Sequence, residues 1–176
     1  MIRGYDGIVT REASEAHPVP GAFFAGRYAE AIDTLQRVRA VESDFPFVET
    51  WLGRALTFEG RLAEALPMLE GTDGRHLGRF KRPRPRRSPW LAQAYVMTGR
   101  RAEAATLAAE FADSPSNLAT IYASLGEKDR AFEALERVAV VQPHHVGKIL
   151  MNPEMTVLRG DLRLTALRER FGLPTH

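Results

Sequence analysis

The residues able to do chemistry are few, and their spacing argues against catalysis. His144 and His145 are adjacent, and neighbours on a helix diverge by about 100°, so the pair does not converge on one metal ion. Neither a histidine at i+4 nor a carboxylate triplet with ligand spacing follows. Ser114, Ser116 and Ser124 fall at expected helix caps and faces, without the Gly-x-Ser-x-Gly elbow that strains a nucleophile. The absence of cysteine removes thiolate nucleophiles, zinc-thiolate sites and disulfides. Neither Gly-x-x-x-x-Gly-Lys-Ser/Thr nor Gly-x-Gly-x-x-Gly occurs, so no phosphate cradle opens a helix. Glu30, Glu64, Glu103, Glu133 and Glu136 lie on helix faces near arginines, where solvated i,i+4 pairing accounts for them. No enzymatic activity, cofactor or metal is expected.

Charge is the stronger chemical feature. Arg75, Arg79, Lys81, Arg82, Arg84, Arg86 and Arg87 place seven cations and no acid between residues 75 and 87; the chain's overall +2 therefore leaves −5 for the rest. One reading is a strap that neutralises nucleic-acid phosphates and releases counterions, with Phe80 and Trp90 stacking on bases. The others are a solvated loop lying along the acidic body and a contact for an acidic protein. Pro83 and Pro85 keep the segment extended, which suits all three.

The elements that carry these residues repeat. Gly26-Arg27-Tyr28-Ala29-Glu30-Ala31-Ile32 returns as Gly60-Arg61-Leu62-Ala63-Glu64-Ala65-Leu66, as Gly99-Arg100-Arg101-Ala102-Glu103-Ala104-Ala105, and as Gly126-Glu127-Lys128-Asp129-Arg130-Ala131-Phe132. Gly26 and Gly60 are 34 residues apart, the period of a stacked helix-turn-helix unit. Each glycine sits where the first helix ends in a left-handed residue. Small residues fall where two helices would cross: Gly53 with Ala65, Ala92 with Ala104, Ala119 with Ala131. Large apolar residues, Leu52, Leu56 and Leu69, then Leu91 and Tyr95, then Leu118, Tyr122 and Leu135, fall at helical spacing for burial.

These residues resemble the tetratricopeptide repeat family over about residues 21–143. The best copy is Asn117 to Pro143, with Leu118, Ala119, Tyr122, Gly126, Ala131, Leu135 and Pro143 in the family positions. Pro153, Leu158-Arg159, Asp161, Arg163, Leu167-Arg168 and Gly172-Leu173-Pro174 are similar to the ending of repeat regions at the C-termini of bacterial regulators, although Leu162 and Leu164 replace the more usual proline and aromatic. The resemblance implies an all-α, right-handed solenoid. In the family, outward positions of each first helix meet an extended peptide. By position these include Thr50, Arg54, Thr57 and Phe58, then Gln93, Val96 and Met97, then Ser116, Thr120 and Ser124, with Arg54 the one charged groove residue. The Lys and Asn pattern that clamps a C-terminal carboxylate is absent.

Three domain-level segments follow: an irregular stretch over 1–20, repeats over 21–143 with a basic loop over 71–89, and capping helices over 144–176. Pro18 and Pro20 leave only Gly21-Ala22-Phe23-Phe24-Ala25 for the first helix of the first unit, since an interior proline costs about 3 kcal/mol. Pro67 is expected near the first turn of its helix, where its missing amide has little or no partner. Gly71, Gly74, Gly78, Pro83, Pro85 and Pro89 rule out one continuous helix there. Ile149, Leu150, Met155, Leu158, Leu164, Leu167 and Phe171 suit a cap over the last repeat, and this segment is also able to fill the concave face. The alternative is a dimer through Phe23, Phe24, Leu52 and Leu56 at the opposite edge. With 176 residues and no apolar run of roughly 20, the expectation is a cytoplasmic protein that binds another protein or peptide, nucleic acid being the alternative partner.

Overall fold

The computed structural model describes residues 18–41, 48–71 and 88–174. Their helices form consecutive antiparallel hairpins: α1 (Pro18–Phe24) with α2 (Tyr28–Val41), α3 (Val48–Phe58) with α4 (Leu62–Gly71), α5 (Leu91–Met97) with α6 (Arg101–Glu110), and α7 (Pro115–Ser124) with α8 (Lys128–Val141). The chain then runs through a 3-10 turn (Pro143–His145), α9 (Val146–Leu150), a second 3-10 turn (Pro153–Leu158) and α10 (Leu162–Arg170). Each helix packs on its successor through α8, α5 also meets α7, and the second 3-10 turn lies against α7. This is a helical repeat solenoid.

The repeated text has a local cause. Gly26, Gly60, Gly99 and Gly126 have φ between +72° and +85°, a region costly for a residue with a Cβ. In each turn the glycine N–H and the next N–H fold back onto the preceding helix; the first turn has Gly26 N to Phe23 O at 3.0 Å and Arg27 N to Ala22 O at 2.9 Å. Those two hydrogen bonds satisfy carbonyls that the helix end leaves open. The residues following the glycine also pair locally: Arg27 with Glu30, Arg61 with Glu64, Arg100 with Glu103. Their spacing is i,i+3 rather than the expected i,i+4, because the arginine stands just before the helix and the glutamate in its first turn. Glu136 instead reaches Arg170 on α10.

Two sequence expectations about proline change. Helix α1 begins at Pro18, three residues before the stretch expected to survive, because prolines in a first turn lack only amides that have no helical acceptor. Pro67 lies inside α4, five residues past its start, so it does remove an interior bond, the one the Ala63 carbonyl would accept.

The core is divided. One apolar cluster joins Phe23, Ile32, Leu35, Leu52, Leu56 and Ala65 from α1 to α4. A larger one runs from Leu69 through Leu91, Tyr95, Leu107, Ile121 and Leu135 to Leu158 and Leu167. The small crossing residues are all buried: Gly53, Ala65, Ala92, Ala104, Ala119 and Ala131. A Cβ built on Gly53 would stand 2.7 Å from Leu69 Cγ, so α3 and α4 cross as closely as their sequence permits.

Candidate functional site

Helix α3 carries Trp51, Arg54 and Phe58 at i, i+3 and i+7, one face of a helix. Arg54 points into the protein: it is 2% exposed. Its guanidinium carbon lies 4.7 Å from the Phe23 ring centre, 4.9 Å from that of Trp51 and 4.4 Å from that of Trp90. Aromatic faces attract a cation most when water is excluded. Phe23 also makes edge contacts with Phe24, Tyr28, Trp51 and Phe58, and Tyr28 stacks on Phe58 at 5.3 Å.

The counterion comes from the other end of the chain. Arg54 Nη2 donates to Asn152 Oδ1 at 2.9 Å and reaches both Glu154 carboxylate oxygens at 3.4 Å. Asn152 Nδ2 donates to the Ile149 carbonyl at 3.1 Å, which turns Oδ1 toward the guanidinium. Glu154 is itself buried, and Arg54 Nε has no acceptor. Burial lowers the Arg54 guanidinium from its usual range, and Glu154 opposes that shift by charge and hydrogen bonding. Burial and then the Glu154 carboxylate raise the Tyr28 phenol, while Arg54 pulls it down.

This arrangement closes part of the groove read from sequence, Arg54 included. Thr50, Arg54, Thr57, Thr120 and Ser124 are buried, Phe58, Gln93, Val96 and Ser116 are partly buried, and of the groove positions only Met97 is exposed. The hydroxyls of Thr57, Thr120 and Ser124 donate to carbonyls of their own helices four residues back. The physical reason is that the second 3-10 turn, with Met155 and Leu158 buried, lies over α7, while Glu154 takes Arg54. The chain fills its own groove there. Trp90, considered for base stacking, stacks on Arg54 instead.

The edge drawn for a dimer is likewise closed within the monomer. Phe23, Leu52 and Leu56 are buried and Phe24 is partly so. Arg75, Arg79, Lys81, Arg82, Arg84, Arg86 and Arg87, with Phe80, lie outside the described residues. His144 and His145 meet edge to face at 4.3 Å, and His145 Nδ1 lies 3.1 Å from Gln142 Oε1. Ser114 occupies the N-cap of α7 without a side-chain capping bond, and Pro115 starts that helix.

Sequence reasoning missed Glu154 and Asn152 as partners of Arg54. The available hint was an acid set among Ile149, Leu150, Met151, Met155 and Leu158, where an unpaired carboxylate would be costly to bury.

Beside this buried pair a cleft of about 220 Å³ remains open. The α1–α2 turn forms one wall with Phe24, Gly26 and Tyr28; Met151, Pro153, Arg159, Leu164 and Arg168 belong to the other. A shallower hollow lies between the α6–α7 turn and the end of α8, where Val140 and Val141 are exposed.

Models of the tetratricopeptide repeat match residues 46–70, 90–110 and 111–142, which are the hairpins α3–α4, α5–α6 and α7–α8. No curated protein and no solved structure matches the chain. Among the described residues no helix is long and apolar enough to cross a membrane. Three consecutive hairpins, each turned by a glycine in the left-handed region and crossing at small residues, thus match the tetratricopeptide repeat.

Proposed function

We propose that the protein is a non-catalytic interaction module of the cytoplasm, a scaffold or adaptor that holds another protein. Tetratricopeptide repeats generally mediate protein–protein interaction, and the observation that carries the reading is the run of three matched hairpins in one stack. The ending Pro153 to Pro174, similar to that of repeat regions attached to bacterial regulators, supports a module that serves a regulatory partner. The experiment is affinity capture from native lysate with and without nuclease, followed by mass spectrometry. A stoichiometric protein retained through nuclease and high salt is expected, and its absence would overturn the reading.

A second reading rests on the concentration of positive charge over residues 75–87: binding of nucleic-acid phosphates. Replacing Arg82, Arg84, Arg86 and Arg87 with serine would abolish such binding while leaving a protein contact through the folded repeats intact. Each lost phosphate contact also lowers the salt dependence of binding by about one unit of slope.

A further inference from the structure

We infer that the chain forms a dimer by exchanging its C-terminal segment, residues 146–174: Glu154 of each copy enters the Arg54 site of the other, and the ends of the two α8 helices meet around Val140 and Val141. This goes beyond the reading of the chain as a module for another protein and rests on contacts within the chain itself. The Arg54 site is built from two parts of the sequence 100 residues apart, and nothing in the contact requires both parts to belong to one copy. An exchanged segment meets the same groove and makes the same bonds. The site also fixes where that segment sits: Arg54 Nη2 meets Asn152 Oδ1 at 2.9 Å and reaches both Glu154 oxygens. Farther along, Arg163 with Asp129 and Arg170 with Glu136 join α10 to α8, and these pairs exchange with the segment.

The link between the repeats and the segment is short and lies on the surface. It runs from Gln142 to His145, with Val141, Gln142, Pro143 and His144 exposed. Pro143 has no amide to continue the bonding of α8, and the backbone bonds of the link are local, Gln142 N to Val138 O and His145 N to Gln142 O. Exchange alone keeps the contacts of the monomer and costs the freedom of a second molecule, so a dimer needs a contact that the monomer lacks. That contact is at hand beside the link. Val140 is 81% exposed and Val141 62%, both in the last turn of α8. They border a hollow lined also by Asp113, Pro115 and Arg137. Asp113 and Arg137 are exposed and have no ion pair among the described residues; Arg137 donates to the Ala112 carbonyl at 3.5 Å. An acid and a base on one patch complement themselves about a two-fold axis, Arg137 of each copy meeting Asp113 of the other. Two exchanged segments bring two links together, and with them these two patches.

The test is analytical ultracentrifugation of the full chain after refolding from urea at about 10 μM and about 1 mM, since dimer formation follows mass action. A species of twice the chain's mass is expected at the higher concentration. Val141→Asp is expected to weaken it by about tenfold while the monomer's thermal melt stays in place. Exchange itself is read from two variants refolded together. Arg54→Met leaves Glu154 without its partner, and Glu154→Leu leaves Arg54 without its own. In an exchanged dimer of the two, Glu154 of the first sits on Arg54 of the second, and the other site closes with two apolar side chains. The mixture is expected to hold at least about tenfold more dimer than either variant alone. A wild type that stays monomeric at about 1 mM overturns the inference, and this arm stands even where a variant fails to fold. So does a dimer indifferent to Val141→Asp. A wild-type dimer with no rescue in the mixture is two closed monomers meeting face to face, and that result overturns the exchange.

Discussion

Removing either member of the Arg54–Glu154 pair should cost far more than removing both. Arg54 is 2% exposed and Glu154 4%, so Glu154→Leu leaves a guanidinium without a counterion in the core, and Arg54→Met leaves a buried carboxylate in the same position. Breaking a buried pair costs about 3–5 kcal/mol. Two details place this pair at the lower end. Both Glu154 contacts are 3.4 Å long, and Arg54 keeps Asn152 at 2.9 Å and three aromatic faces when Glu154 is lost. The expected loss is about 3 kcal/mol for each single variant, roughly a hundredfold in the folding equilibrium. The double variant, with two apolar side chains of similar reach, should fall within about 1 kcal/mol of wild type. Urea unfolding measures all four proteins, and fluorescence is well placed to follow it: Trp51 and Trp90, the chain's two tryptophans, both lie against Arg54. Single variants that each lose less than about 1 kcal/mol, or a double variant that loses their sum, would refute the assignment of a coupled buried pair.

Three further outcomes follow from the packing. Gly53→Ala drives a Cβ to 2.7 Å from Leu69 Cγ and 2.9 Å from Cδ2; overpacking of about 1–3 kcal/mol, less the roughly 1 kcal/mol that alanine adds to a helix, leaves a net loss of up to about 2 kcal/mol, read in thermal melts. Gly21→Ala, which meets open space, should not lose stability. Asp161 accepts from the Arg163 side chain and backbone N–H, and these bonds hold its carboxyl at about 2 against an ordinary 3.8. The unfolded chain thus binds the extra proton as pH falls from about 4 toward 2, so stability present above that window is lost within it; Asp161→Asn should lessen that acid loss in pH-jump circular dichroism.

The repeats were legible because their determinants are local. A glycine that must be left-handed, an arginine and glutamate across one helix start, and small residues at a crossing all lie within a few positions of one another, as Gly60, Arg61, Glu64 and Ala65 do. The groove was not, because its occupant is distant. Arg54 and Glu154 are 100 residues apart, and no spacing rule links a charged position on one helix with an acid in a short turn beyond four hairpins. Pro18 and Pro67 show the same limit at shorter range: whether proline starts a helix or interrupts it depends on where the first turn falls.

A charge pair is an uneconomical way to close an apolar groove if closure is all that matters, since desolvating two ions consumes much of what their attraction returns. Its geometry does something an apolar patch does not. Leucines along α9 and the second 3-10 turn would settle on the repeats in several neighbouring positions at similar energy. Arg54 accepts one: Asn152 Oδ1 at 2.9 Å with its amide tied to Ile149, and Glu154 on the same nitrogen. The double variant separates these two contributions. If it matches wild type in urea while its tryptophan side-chain resonances broaden or multiply, then stability came from the apolar contacts and position from the pair. Single sharp resonances from both tryptophans in the double variant would assign position to the apolar contacts as well, and Arg54 would be left with no role that two methionine-sized side chains do not fill.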